Sequence, residues 1–183
     1  MSFINWLFLR ESSVTEGPLP DLNRVGYFAC VLHKWSQQDL VTAAHKFMFE
    51  TRGTNVPATG WSGKAHHMTV KFKPTMADLE AVQPFMGKQI KLMVENWVAD
   101  DHCLTVVVRP EIKLPITGTP HITVAHSHEV NSAYSNTLLL ERNRWQPVHE
   151  ELVLYSYLMA IEHGNVPFWP EIVVPLASPS VSV

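Results

Sequence analysis

The sequence predicts a mixed α+β fold with antiparallel strands, and three observations carry that prediction. Several stretches of strand length are rich in β-branched and aromatic residues and are separated by turn-forming segments. One long stretch, Ser36–Phe49, instead repeats its apolar residues at helical spacing. Finally, two strand-like stretches repeat one pattern, His67-Met68-Thr69-Val70 and His121-Ile122-Thr123-Val124.

Taken in order, Arg24–His33 (RVGYFACVLH) reads as a buried strand entered from the turn-rich GPLPDLN. Ser36 is the expected cap of the helix SQQDLVTAAHKFMF, whose apolar face is Leu40, Val41, Ala44, Phe47 and Met48. The glycine-, threonine- and proline-rich TRGTNVPATGWSGKA is expected to be a loop leading into the first histidine strand. Thr75 and Asp78 have the spacing of a capping box for a short helix through TMADLEAVQPF. Two strands follow, QIKLMVENWVA and HCLTVVVRPEI, expected to form a hairpin at Asp100-Asp101. Lys113–Thr119 is a loop, the second histidine strand comes next, and SHEVNSAYSNTLLLERN reads as a polar turn and a helix. Glu151–Glu162 is a long closing strand. Each half thus offers strand, helix and strand with one HxTV copy, a placement that points to a duplication.

A length of 183 residues fits one domain, with its core at 24–162 and residues 163–183 as a peripheral tail. Hydrophobic residues make up 46% and charged residues 17%, a balance suited to a packed core rather than disorder. The net charge of −3 lacks the basic excess with which proteins hold duplex DNA, so a small nucleotide or a short single-stranded end is the better fit. Cys30 and Cys103 each lie in an apolar run and read as buried thiols of a reducing compartment. MSFINWLFLRE has neither the basic start nor the cleavage site of a signal peptide and is too short to span a bilayer. The expectation is a cytoplasmic protein without a membrane partner.

Residues two apart in a strand share a face. His67 and Thr69 therefore project together, as do His121 and Thr123, while Met68, Val70, Ile122 and Val124 turn into a core. If the two strands meet, two imidazoles and two hydroxyls converge. Such a set suits metal-free phosphodiester cleavage. One neutral imidazole takes a proton from the nucleophile and the other, protonated, gives one to the leaving oxygen, while the hydroxyls hold the phosphate oxygens.

The paired HMTV and HITV stretches resemble the signature of the two-histidine (2H) phosphoesterase superfamily, in which His, any residue, Thr or Ser, and an apolar residue occur twice. That superfamily includes RNA ligase-like cyclic phosphodiesterases, the phosphodiesterase domain of fungal tRNA ligases, and viral enzymes that degrade cyclic nucleotide immune signals. The resemblance spans roughly Arg24–Glu162. It implies a bilobal α+β domain with two antiparallel sheets flanking a central cleft and helices outside. It also implies catalytic roles for His67 and His121, and phosphate-binding roles for Thr69 and Thr123. The implied substrate is a cyclic oligonucleotide signal or a 2′,3′-cyclic phosphate, and charge and size alone slightly favour the former.

Beyond the tetrapeptides, Trp61, Trp145 and Tyr27 are candidate stacking platforms for a base, and Lys71, in phase with His67 and Thr69, is a candidate phosphate contact. His66 is expected to point away from the cleft. No HxxxH, HExxH or CxxC spacing gathers the remaining histidines and cysteines into a metal site, and no cofactor motif stands out. Two rival readings are a nucleotide-binding module without turnover and a protein-interaction domain using the apolar Trp6–Leu9 segment.

Overall fold

The computed structural model describes residues 20–53 and 61–164. The Trp6–Leu9 segment, part of the loop before the first histidine strand and nearly all of the tail lie outside them. In chain order the elements are β1 (Val25–Leu32), α1 (Lys34–Arg52), β2 (Trp61–Gly63), β3 (His67–Phe72), α2 (Met76–Val82), β4 (Gln89–Ala99), β5 (Cys103–Pro110), β6 (His121–Ser127), α3 (Tyr134–Leu138), β7 (Trp145–Pro147) and β8 (Val153–Glu162).

Several local expectations are met for the expected reasons. Thr75 and Asp78 form a reciprocal capping box at the start of α2. The hairpin between β4 and β5 turns on Asp100, whose Oδ1 accepts from the N–H groups of His102 and Cys103, both at 2.8 Å. Helix α1 buries Leu40, Ala44 and Met48 and stops at Gly53, which takes a left-handed φ of 65° and donates to Phe49 O at 3.0 Å. Ser36 is not its cap. The helix starts earlier, at Lys34 after His33, and the buried Ser36 Oγ accepts from Tyr155 N–H at 2.7 Å, tying α1 to β8. The two halves are not equal copies either. The 19-residue α1 packs on the main core, whereas α3 has five residues and its Leu138 belongs to a separate cluster with Val98, Cys103 and Val107.

The strands form one hydrogen-bonded sheet in the order β2-β6-β5-β4-β8-β1-β3, with β7 pairing β4, where two separate sheets are expected from the resemblance. The outermost strands of this order, β2 and β3, are consecutive parts of one chain run. β2 pairs with β6 (Gly63 opposite Ala125) and β3 pairs with β1 (Val31 opposite His67). Between them Lys64 N–H donates to Val124 O at 2.8 Å and Ala65 N–H to Thr123 O at 2.9 Å, and the next peptide is already bonded to β1 through Leu32 N–H and His66 O at 2.9 Å. One kinked run therefore joins both ends of the sheet and brings the two histidine strands together. At the kink Ala65 is held at a φ of 42°, an unusual conformation for a residue with a Cβ.

One face of this sheet and α1 enclose the main core, which includes Phe28, Cys30, Leu32, Leu92, Leu154 and Leu158. Met68, Val70, Ile122 and Val124 are buried in it, as the alternation requires. Full burial of a side chain of this kind contributes about 1.5–3 kcal/mol, so these four residues fix the orientation of both histidine strands. Cys30 and Cys103 are buried and unbridged. No described helix is long and apolar enough to cross a membrane.

Candidate functional site

On the face opposite the main core, β1, β3, β6, α3 and the loop before β6 surround a cavity of about 610 Å³, within the size range of small-ligand sites. Its lining includes His67, Thr69, His121 and Thr123, so the sheet brings both tetrapeptides to one place. Tyr27 and Lys71 also line it. The Tyr27 ring lies 5.4 Å from that of His67. Lys71 is shared between Asp78 Oδ1 at 3.4 Å and Thr117 Oγ1 at 3.5 Å.

Two expected substrate contacts are elsewhere. Trp61 sits in β2 opposite Ser127 and packs against the main core. Trp145 lies in a short strand rather than a loop, opposite Val98 on β4, with the Arg142 guanidinium 3.8 Å from its ring centroid. In both, the indole is used for packing, and neither lines the cavity.

Two residues join the site unforeseen. His66 faces the cavity, not away from it, and its Nδ1 contacts Nδ1 of His67 with the rings stacked 4.5 Å apart. Strand alternation would separate neighbouring residues, but it begins only at His67. The turn at Ala65 places His66 in a bend, where the two-residue period does not apply. The second is Ser135, in the first turn of α3 and fully buried. Its Oγ accepts from Thr123 Oγ1 at 3.0 Å, donates to Ser132 O at 2.9 Å and lies 3.0 Å from His121 Nε2.

This network bears on the protonation of His121. A carbonyl only accepts, so at 2.8 Å from Thr119 O the Nδ1 of His121 is the donor. Ser135 has one hydroxyl proton, which goes to Ser132 O in this arrangement, so a proton on His121 Nε2 would find an acceptor in Ser135 Oγ. Imidazolium at position 121 is thus fully hydrogen-bonded, while the neutral form requires the serine hydroxyl to turn. Burial nevertheless lowers the His121 pKa, against the opposing effect of the Thr119 carbonyl. His67 is pushed down to about 3 by burial first, then by His66 and His121. His66 is pushed down to about 4 by burial and by Lys64.

These shifts predict how stability responds to acid. All three histidines bind protons less readily folded than unfolded, so the unfolded chain takes up more protons as pH falls below about 6.5. Their contribution is complete above that pH and is lost progressively toward pH 4 and pH 3. Each group contributes a slope of at most about 1.4 kcal/mol per pH unit. The urea midpoint should therefore fall between pH 7.5 and pH 5, and His67→Ala should flatten that fall. A midpoint insensitive to pH in both proteins would refute the burial of these rings as neutral groups.

Among the described residues no group of three or more His, Cys, Asp and Glu side chains is arranged to hold a metal ion. A family model for the fungal tRNA ligase phosphodiesterase domain matches residues 41–155, more than half of the chain and including both histidine strands and Ser135. Among solved structures, a fungal RNA kinase is similar over 73% of this chain and 41% of its own, at 13% identity and a TM-score of 0.44, a likeness too remote to carry a functional argument. The matched part thus covers less than half the length of that protein. No curated protein matches.

Proposed function

The chain belongs to the family of the fungal tRNA ligase phosphodiesterase domain, a two-histidine phosphoesterase family, and from this membership we propose that it hydrolyses the 2′,3′-cyclic phosphate at an RNA end without a metal ion. The observation that supports the reading is the convergence of His67, Thr69, His121 and Thr123 on one cavity sized for a nucleotide. The family match favours this substrate over the cyclic oligonucleotide signals that size and charge alone put first, and nothing in the geometry favours the latter.

In the proposed step, water attacks the phosphorus and the bond from phosphorus to one ribose oxygen breaks. His67, the imidazole whose pKa is pushed lower, takes the proton of the water. His121, whose doubly protonated form has an acceptor on each nitrogen, gives a proton to the departing ribose oxygen. Thr69 donates to a non-bridging oxygen, where charge builds in the transition state, and Thr123 donates to another once its hydroxyl has turned from Ser135 Oγ to the substrate. The RNA end, now carrying a free ribose hydroxyl beside a phosphomonoester on the same ribose, leaves, and proton exchange with solvent resets the two imidazoles.

The test is turnover in EDTA of an RNA oligonucleotide ending in 2′,3′-cyclic phosphate, beside cyclic di- and trinucleotides and 2′–5′ oligoadenylate. Opening of the terminal cyclic phosphate in chelator is the expected result. Turnover only of the cyclic oligonucleotides or 2′–5′ oligoadenylate, turnover only with added metal, or none at all would overturn the reading.

A further inference from the structure

Strand register extends the site face well beyond the cavity. Val31 on β1 stands opposite His67 on one side and Tyr157 of β8 on the other, and Tyr157 is opposite Gln89 of β4. One step along, Thr69, Ala29 and Met159 form a second row. Residues paired across antiparallel strands share a face, so His67, Thr69, Tyr157 and Met159 all look the same way. Between them Ala29 and Val31 are small and buried. Beyond them the large side chains of β8 on this face stay open, Tyr155 at 40%, Tyr157 at 38% and Met159 at 44% exposure.

Tyr27 lines the cavity and also packs on Ala29, Val31 and Ile161, so its side chain reaches from the cavity toward β8. Adjacent strands are about 4.8 Å apart, so Tyr157 lies roughly 10 Å from the His67 strand, and Tyr155 and Tyr157 are about 6.7 Å apart along β8. His33 adds a ring 6.1 Å from that of Tyr157, and the exposed Lys91 is the cross-strand neighbour of Tyr155. Aromatic side chains on alternate positions of an open antiparallel sheet, with a cation beside them, are the arrangement on which unpaired RNA bases stack.

We propose that Tyr157 and Tyr155 form a stacking track for the one or two unpaired nucleotides that precede the cyclic phosphate of the RNA, with Lys91 beside their backbone phosphates. The proposal rests on the RNA-end reading and adds the form of the substrate: a single-stranded oligonucleotide rather than a free cyclic mononucleotide.

The experiment compares kcat/KM for a 2′,3′-cyclic mononucleotide and for a trinucleotide ending in the same cyclic phosphate. Wild type should favour the trinucleotide, and Tyr157→Ala should lower the trinucleotide-to-mononucleotide ratio about fivefold or more, the low end of what losing one base stack costs. Tyr157→Phe, which keeps the ring, should retain the ratio. No length preference in wild type, or equal losses on both substrates in Tyr157→Ala, would overturn the track. Binding of a 3′-phosphorylated RNA trinucleotide, followed by fluorescence anisotropy, separates this failure from failure of the RNA-end reading. Binding that Tyr157→Ala weakens in a protein that opens no cyclic phosphate would refute the hydrolysis alone. Hydrolysis that Tyr157→Ala leaves untouched on both substrates would refute the track alone.

Discussion

His121→Ala should lower kcat for a cyclic-phosphate RNA end by roughly 10²–10⁴-fold, the range for losing one positioned proton donor or acceptor, and His67→Ala should do the same. The double variant should be little worse than either single one, because the two imidazoles act in one step. Folding should survive both changes. The strands are anchored through Met68, Val70, Ile122 and Val124 on the opposite face, and the imidazole positions themselves are only partly buried. Steady-state kinetics in EDTA, with circular dichroism as a check on folding, read the result directly. Activity within tenfold of wild type in either single variant would remove that histidine from the chemistry and with it the paired-imidazole mechanism.

The second large effect concerns pH. The proposed reaction needs His67 neutral and His121 protonated, and kcat/KM reports the free enzyme. The first condition holds down to about pH 3, since His67 is pushed that low. The second fails as pH rises through the His121 pKa, which burial places below its usual value. The sign is therefore an acid optimum: kcat/KM should be highest below pH 6.5 and fall by about tenfold per unit above it, some hundredfold between pH 6.5 and 8.5. The profile of kcat should extend to higher pH, because a bound phosphate anion favours the imidazolium. Ser135→Ala removes the oxygen 3.0 Å from Nε2 and should move the alkaline limb of kcat/KM further down. A flat profile from pH 5 to pH 9, or an optimum above neutrality, would contradict the assignment of His121 as the acid.

What the sequence made legible was whatever depends on short-range periodicity. The two-residue period of a strand is enough to place Met68 and Val70 in the core and to pair His67 with Thr69, and the structure follows it. Thr75 and Asp78 declare their helix because a capping box is a local device. His66 escaped because its orientation depends on the backbone at Ala65, a residue with no propensity for the left-handed region. Ser135 escaped because a buried serine near a polar turn has no signature; only the fold carries it to His121 across 14 positions of sequence. Trp61 and Trp145 lie away from the cavity for the converse reason, since closeness in sequence to a histidine strand does not aim an indole at its face. The number of sheets also follows from register rather than pattern, because the pairing of Lys64 and Ala65 with β6 is invisible in composition.

That pairing has a consequence for the order in which the molecule is made. The run carrying β2 and β3 must pair with β1, more than 30 residues before it, and with β6, some 60 residues after it. Contacts of such separation form late, since the loop-closure entropy must be met before they add stability. During synthesis from the N-terminus the first tetrapeptide can settle on β1 while the second is still to come, and its β6 contacts must wait. The paired imidazoles therefore cannot come together until β6 has been made, while the pairing of β8 with β1, across more than 120 residues, closes the sheet later still.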